Sequence, residues 1–409
     1  MATSGTSAGE GISRRGLAAR LTGAAGVVAG ALVAACGGQP ATPGAPAGAV
    51  RGTVVVWADK PYDDLRRQQL KLLESRKPGL QITVDTATED YYQKVVAALA
   101  AGSGAPDIFH EEPPRVVELA VKNQLVKLDP LVKRDRYDID DFHPPTTEQY
   151  RWKGTLYAIP WPGVRALYVN LDLFQKAGAS LPPVPWAQPS WTYDALADTA
   201  RKLTTGSEPA QWGFDFNPDV RSWAPVVYAH GGELFSKDLR KVVLSDPPAV
   251  AGLQWLQEVR HKLRVAPTAE VYKQGQTSNL KLFKEGRTAI LFIWAAAITE
   301  FRRDIAGVNW DARPMPRGPG GPATGGGGQG WMLLTATKSV DAAWEVLQFL
   351  GSKENMEAEM RAGATPPARK SLADSPAWTD PARPPKNAKA FADAFAYVRV
   401  DPLLVNWEK

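Results

Sequence analysis

One cysteine and four histidines stand in a chain of 409 residues, so the side chains that most often ligate transition metals or carry protons are scarce. A lone cysteine also excludes an intrachain disulfide, in whatever compartment the chain works. No metal, cofactor or catalytic residue is therefore expected. A charge excess is missing too. The 48 Lys and Arg face 43 Asp and Glu, a formal +5, and setting aside Arg14, Arg15, Arg20 and Glu10 leaves 45 against 42. With no basic run to gather on one face, nothing supports a nucleic-acid partner. There is no internal repeat, and 44% hydrophobic with 22% charged residues excludes disorder, collagen and small disulfide scaffolds. The length exceeds what one simple core fills, so two lobes are expected. What the chain has in abundance is aromatic surface, with 14 Trp and 11 Tyr.

The first 50 residues read as an address. Ser13-Arg14-Arg15-Gly16-Leu17 is a twin-arginine start, and the uncharged stretch Leu21–Ala35 is too short to cross a bilayer of about 30 Å as a helix. It ends at Val33-Ala34-Ala35-Cys36-Gly37-Gly38, which resembles a bacterial lipoprotein signal in which the Cys becomes the lipidated first residue. The expectation is a signal peptide over 1–35, a lipid anchor on Cys36, and a Pro/Gly/Ala-rich tether over 36–51.

Beyond the tether an alternating βα pattern begins. Val54-Val55-Val56-Trp57 is a continuous apolar run, the mark of a strand covered on both faces. Leu65, Leu72 and Leu73, with Arg66, Arg67 and Lys71 between them, make an amphipathic helix that Pro78-Gly79 stops. Leu80, Ile82 and Val84 alternate as a strand, a helix runs from about Asp90 to Ala101, and Asp107-Ile108-Phe109 is a short strand. Such a βαβαβ order predicts an open parallel sheet flanked by helices, an α/β fold. A second group follows: a strand Ala166–Asn170, a helix Leu171–Ala177, helices ending near Leu203 and Leu263, and a buried strand Thr288–Trp294. Pro314–Gly330 collapses to Gly and Pro and reads as a mobile loop; Trp331–Thr335 resumes as a strand, with helices Val340–Leu350 and Lys353–Ala362 after it.

Four short stretches, in order and at matching spacing, carry a resemblance. They are Val54-Val55-Val56-Trp57; Gly104-Ala105-Pro106-Asp107-Ile108; Tyr157-Ala158-Ile159-Pro160-Trp161 with Leu167-Tyr168-Val169-Asn170; and Ala343-Trp344 through Leu350 with Pro367-Ala368-Arg369. The chain resembles family 1 extracellular solute-binding proteins of bacterial ABC importers. The resemblance implies a two-lobed periplasmic-binding-protein-like fold with a ligand cleft between lobes, and chain crossings near Val164–Ala166, Gln329–Trp331 and Thr365–Arg369. It places 52–165 plus 329–367 in the first lobe and 166–328 plus 368–409 in the second. It also implies one or two helices beyond Asn406-Trp407, where this sequence stops at Lys409, so either a truncated reading frame or a shortened second lobe is expected. The implied role is capture of a carbohydrate by a monomeric receptor, lipid-anchored on the outer face of the cytoplasmic membrane, and delivery to the transmembrane subunits of an ABC permease.

In open α/β sheets the crevice lies at the carboxyl ends of strands, so residues there are the first binding candidates. These are Trp57 with Asp59 and Lys60, Glu111 and Glu112 after the third strand, Trp161, Trp294 and Trp331. Trp212 and Trp223 in the second lobe join them, as does Tyr91 at a helix start. Arg369, in the family-like Pro-x-Arg element, serves either as a hinge brace or as a contact. A sugar has apolar C–H faces and a rim of hydroxyls; flat aromatics and paired carboxylate or guanidinium groups suit it. Trp331, leaving the glycine-rich loop at a crossing, is the leading platform candidate. Trp255 and Trp344, at amphipathic helical spacing, are expected in the core.

Two motifs fail on context. Gly5-Thr6-Ser7-Ala8-Gly9 matches a nucleophile elbow but lies ahead of the signal-like segment, and Gly325-Gly326-Gly327-Gly328-Gln329-Gly330 has a strand after it where a dinucleotide site needs a helix. Two other functions compete. A non-sugar ligand such as a phosphorylated polyol or peptide is kept open by Lys60, Arg165 and Arg369, whereas a secreted glycoside hydrolase would need a carboxylate pair that the sequence does not display.

Overall fold

The computed structural model describes residues 50–59, 62–87, 91–206, 211–400 and 402–404. The signal-like segment, Cys36, most of the tether, Lys60 and the side chain of Asp59 lie outside the described residues.

The chain enters as β1 (Gly52–Asp59), whose Val54, Val56 and Ala58 are fully buried on one face. Helix α1 (Asp63–Arg76) returns it to β2 (Leu80–Ala87), parallel to β1, and α2 (Tyr91–Ala101) carries it to β3 (Ile108–Glu111), parallel on the other side. Asp107 accepts the Val55 N–H at 2.7 Å, so it serves the strand junction and not a ligand. After α3 (Pro113–Val121) comes β4 (Ala158–Pro162), and two residues later β5 (Arg165–Asn170) begins the second sheet. Asn170 caps α4 (Leu171–Ala177) and Thr192 caps α5 (Tyr193–Leu203), each accepting a backbone N–H with its side chain. Then follow β6 (Asp215–Phe216), α6 (Val220–Ala229), α7 (Pro247–Gln257), β7 (Ile290–Trp294) and β8 (Trp310–Arg313). The chain crosses back as β9 (Gly328–Leu333), continues through α8 (Val340–Leu350) and α9 (Lys353–Ala362), and later forms α10 (Lys389–Ala394).

Two sheets result. The first has order β2-β1-β3-β9-β4, parallel across β2, β1 and β3 and antiparallel at β9; the second has order β8-β5-β7-β6. The chain passes between them three times, between β4 and β5, just ahead of β9, and between α9 and α10, since α8 packs on the first sheet and α10 on the second. The C-terminal part serves both sides. Arg369 donates to the Asp138 carbonyl and to the Gly351 carbonyl at the end of α8, and Ser371 bonds Asp141. Helix α10 packs against β5 and β8, and its Ala390 carbonyl accepts the Trp186 indole N–H at 2.8 Å.

The expectation of a loop over 314–330 fails in an informative way. Arg317–Gly318 pairs with Gly321–Pro322, Thr324–Gly325 pairs with Val398–Arg399, and β9 starts at Gly328. The glycines are there for close approach: a Cβ on Gly325 would sit 2.3 Å from the Arg221 carbonyl oxygen, and Gly327 has φ +128°.

Candidate functional site

A cavity of about 490 Å³ lies between the two sheets, within the size range of small-molecule sites. From the first sheet's side come Glu112, between β3 and α3, Trp161 on β4 and Gln329 on β9, with Tyr62 just ahead of α1. From the second come Arg165 and Trp294, paired across β5 and β7, and Asp219 with Arg221 at the start of α6. Asp219 is the helix cap, accepting the Ser222 N–H at 2.9 Å, so its position is set by the backbone.

The charges are matched. Arg221 donates to both oxygens of Glu112 at 2.9 and 3.0 Å, a fork-on-carboxylate pair, and Arg165 lies 3.4 Å from Asp219. Behind these, a second layer orients the walls. The Trp161 indole N–H donates to buried Glu359 at 2.6 Å, and His110 Nδ1 lies 2.6 Å from Gln329 Oε1, which holds the amide. The buried guanidinium of Arg66 sits 4.7 Å from the Trp161 ring centre and 4.8 Å from that of Trp331, a cation between two aromatic faces. Glu111, next to the cavity residue Glu112, is itself buried, and that burial pushes its carboxyl up to about 7; the Glu112 N–H bonds it at 2.9 Å and works the other way.

The candidates named from sequence divide. Glu112, Trp161 and Trp294 line the cavity. Trp161 is only 8% exposed, with its N–H and one face already engaged, so Trp294 is the aromatic wall with more free surface. Trp331 departs most from expectation: it is 0% exposed, packed between His110 at 4.4 Å and Arg66, and offers no face to the cleft. It sits inside the sheet because β9 is a central strand, paired on both edges. Arg369 is 3% exposed and braces Tyr137, Asp138, Asp141 and Gly351, so its role is structural. Trp57 and Trp223 are half-buried against the core, Trp212 is buried beside Thr288, and Tyr91 donates to the His110 carbonyl; none of the four lines the cavity. Trp255 and Trp344 are buried, as expected.

Tyr62, Asp219, Arg221 and Gln329 were not singled out from sequence. Asp219 and Arg221 follow a two-residue strand, β6, too short to leave a periodic signal, and Gln329 is hidden in a glycine run. The one available signal was Asp219 three residues before Ser222, a helix-cap spacing.

The profile of a family described as "Bacterial extracellular solute-binding protein" matches residues 52–357, about three quarters of the chain. A binding protein of Brucella abortus is 25% identical over 321 residues, spanning 76% of this chain and 74% of its own. Among solved structures, an ABC substrate-binding protein of Listeria monocytogenes in complex with cycloalternan superposes with TM-score 0.77 at 21% identity, covering 88% of this chain and 90% of that one. A Mycobacterium tuberculosis protein in complex with glycerophosphocholine superposes with TM-score 0.72 at 20% identity, covering 86% and 88%.

Proposed function

The chain belongs to the bacterial extracellular solute-binding proteins, and from that premise we propose that it captures a carbohydrate in the cavity between its two sheets and delivers it to an ABC permease. One observation carries the sugar reading: the cavity combines aromatic walls, Trp294 with Tyr62 and Trp161, with two charge-matched Arg–carboxylate pairs and Gln329. Aromatic faces suit the C–H side of a pyranose, and paired ions offer donors and acceptors to neighbouring hydroxyls without leaving a net charge to neutralise. The sugar-bound Listeria relative of the same fold supports it. A second reading, an anionic ligand, draws on the presence of Arg165 and Arg221 in the cavity and on the glycerophosphocholine-bound neighbour. The contacts of both arginines with carboxylates favour the neutral ligand.

The proposal extends to the setting. Residues 1–35 direct export, Cys36 carries the lipid that holds the receptor at the outer face of the cytoplasmic membrane, and 36–51 is the tether. No helix of the described residues is long and apolar enough to cross a membrane. The lobes divide near 165 and 328, as the change of sheet between β4 and β5 and between β8 and β9 suggests, and the receptor works as a monomer. Thermal-shift and native mass spectrometry against panels of neutral mono- and oligosaccharides and of phosphorylated polyols test the reading. Stabilisation by a neutral sugar is expected; stabilisation by the phosphorylated set alone would overturn it.

A further inference from the structure

We infer that the Glu112–Arg221 pair is a clasp that draws the cleft shut before any ligand arrives. Glu112 stands between β3 and α3, in the first sheet's wall, and Arg221 stands on α6, in the second sheet's wall. The two Arg221 terminal nitrogens each donate to one Glu112 oxygen, at 2.9 and 3.0 Å, beside the space in which a ligand would lie. The Arg221 side chain is 17% exposed and that of Glu112 37%, so the arginine end of the pair is shielded while the carboxylate end is open to solvent and partly screened.

Arg221 is held in place from below. Its backbone carbonyl and its Cδ lie against Gly325 and Gly327, where a Cβ would come within 2.3 and 3.2 Å of them, so the crossing segment itself seats the arginine. At the end of α9, Thr299 Oγ1 donates to the Ala362 carbonyl at 3.1 Å, a single neutral bond. The bidentate pair is thus the stronger fastening, since charged hydrogen bonds outweigh neutral ones about twofold. Lobes joined by short crossings move relative to one another unless something holds them, and the resting balance between open and closed forms is set by contacts made only in the closed one. This pair is such a contact, and it needs no ligand. A ligand then enters a closed-leaning receptor and must share or displace the pair, which makes the pair a threshold for binding whatever the ligand's identity.

Small-angle scattering on the full chain carrying Cys36→Ala, with no sugar present, tests the clasp. Arg221→Ala and Glu112→Gln should each raise the radius of gyration, as the closed-to-open ratio falls at least tenfold, equivalent to about 1.4 kcal/mol. The reversed pair, Glu112→Arg with Arg221→Glu, should bring the radius back toward the parent value, because it restores the attraction with the charges exchanged. Arg221→Lys, which keeps the charge but loses the fork, should fall between. Circular dichroism identifies the folded variants, and the near-isosteric Glu112→Gln alone suffices if others fail to fold. Equal radii for parent and single variants overturn the inference, and so does a reversed pair no more closed than the single variants.

Discussion

Trp294 and Trp331 each sit on an apolar strand, yet one faces the cavity and the other fills the core. A sugar ring covering about 60 to 100 Å² of an indole face contributes roughly 1.5 to 2.5 kcal/mol at about 25 cal/mol per Å². Trp294→Ala should therefore weaken binding of the sugar found by screening about 10- to 100-fold and shift the melting temperature little. Trp331→Ala should do the reverse, costing about 3 to 5 kcal/mol of stability, since it empties a fully buried site. Titration calorimetry and thermal melts on both variants check the exchange. Glu111 makes a pH prediction. Its carboxyl titrates at about 7 when folded, because burial disfavours the charge, against an ordinary 4.5 when unfolded. Between those values the folded chain holds a proton that the unfolded chain releases, so stability falls as pH rises from about 4.5 through 7 and the loss is complete above that. Glu111→Gln should be the more stable protein at pH 8, by on the order of 3 kcal/mol, and match the parent at pH 4. Denaturant titrations at both pH values decide it. A slope should persist in the variant, because buried Asp215 is pushed up to about 7 by the same cause.

At the scale of elements, the crossing ahead of β9 is the piece whose chemistry is least ordinary. Its glycines pack against α6, against the strand at Val398–Arg399 and beneath the Arg221 and Arg165 side chains. Gly325→Ala would press a methyl onto the Arg221 carbonyl, and overpacking of this kind costs about 1 to 3 kcal/mol. A lowered melting point is the expected result; an unchanged one would mean that the crossing yields without cost. Elements with strong local signals need no such tertiary account. Helices α4, α8 and α9 run over the same residues that periodicity and capping mark out, since their apolar stripes and stop residues are all within one or two turns.

At the scale of the whole molecule, the prediction concerns where the receptor resides. One acyl chain anchors only marginally, at about 10⁴ M⁻¹, so firm attachment needs the several chains that a lipoprotein cysteine carries. Cys36→Ala should move the protein from the membrane fraction to the soluble one. Fractionation after a high-salt wash reads the outcome, and a variant that still sediments with membranes would falsify the lipid anchor. The α/β class was legible in the chain because it rests on the order of strands and helices, which parallel connections constrain tightly, and the cleft between two lobes was implied by the family resemblance. The pairing of charges across the cavity was not legible, because Arg221 meets Glu112 from 109 residues away and no local pattern announces it.

The sequence by itself determined the α/β class, the order of the elements and the family, together with the cleft as the place to look and three of its lining residues, Glu112, Trp161 and Trp294. The class and the order of elements follow from periodicity and caps, and the lining residues from strand ends, which are properties of neighbouring residues; the family and the cleft follow from the resemblance that four short stretches carry. Only the tertiary structure decided which face each aromatic presents: a tryptophan on a central strand is enclosed by whatever packs over it, here His110 and Arg66, and its fate is written in those partners and not in its own surroundings along the chain. The same holds for Arg369, enclosed by Tyr137, Asp138 and Asp141. It holds too for the glycine run, where the clearance for Arg221 exists only once α6 lies against the crossing.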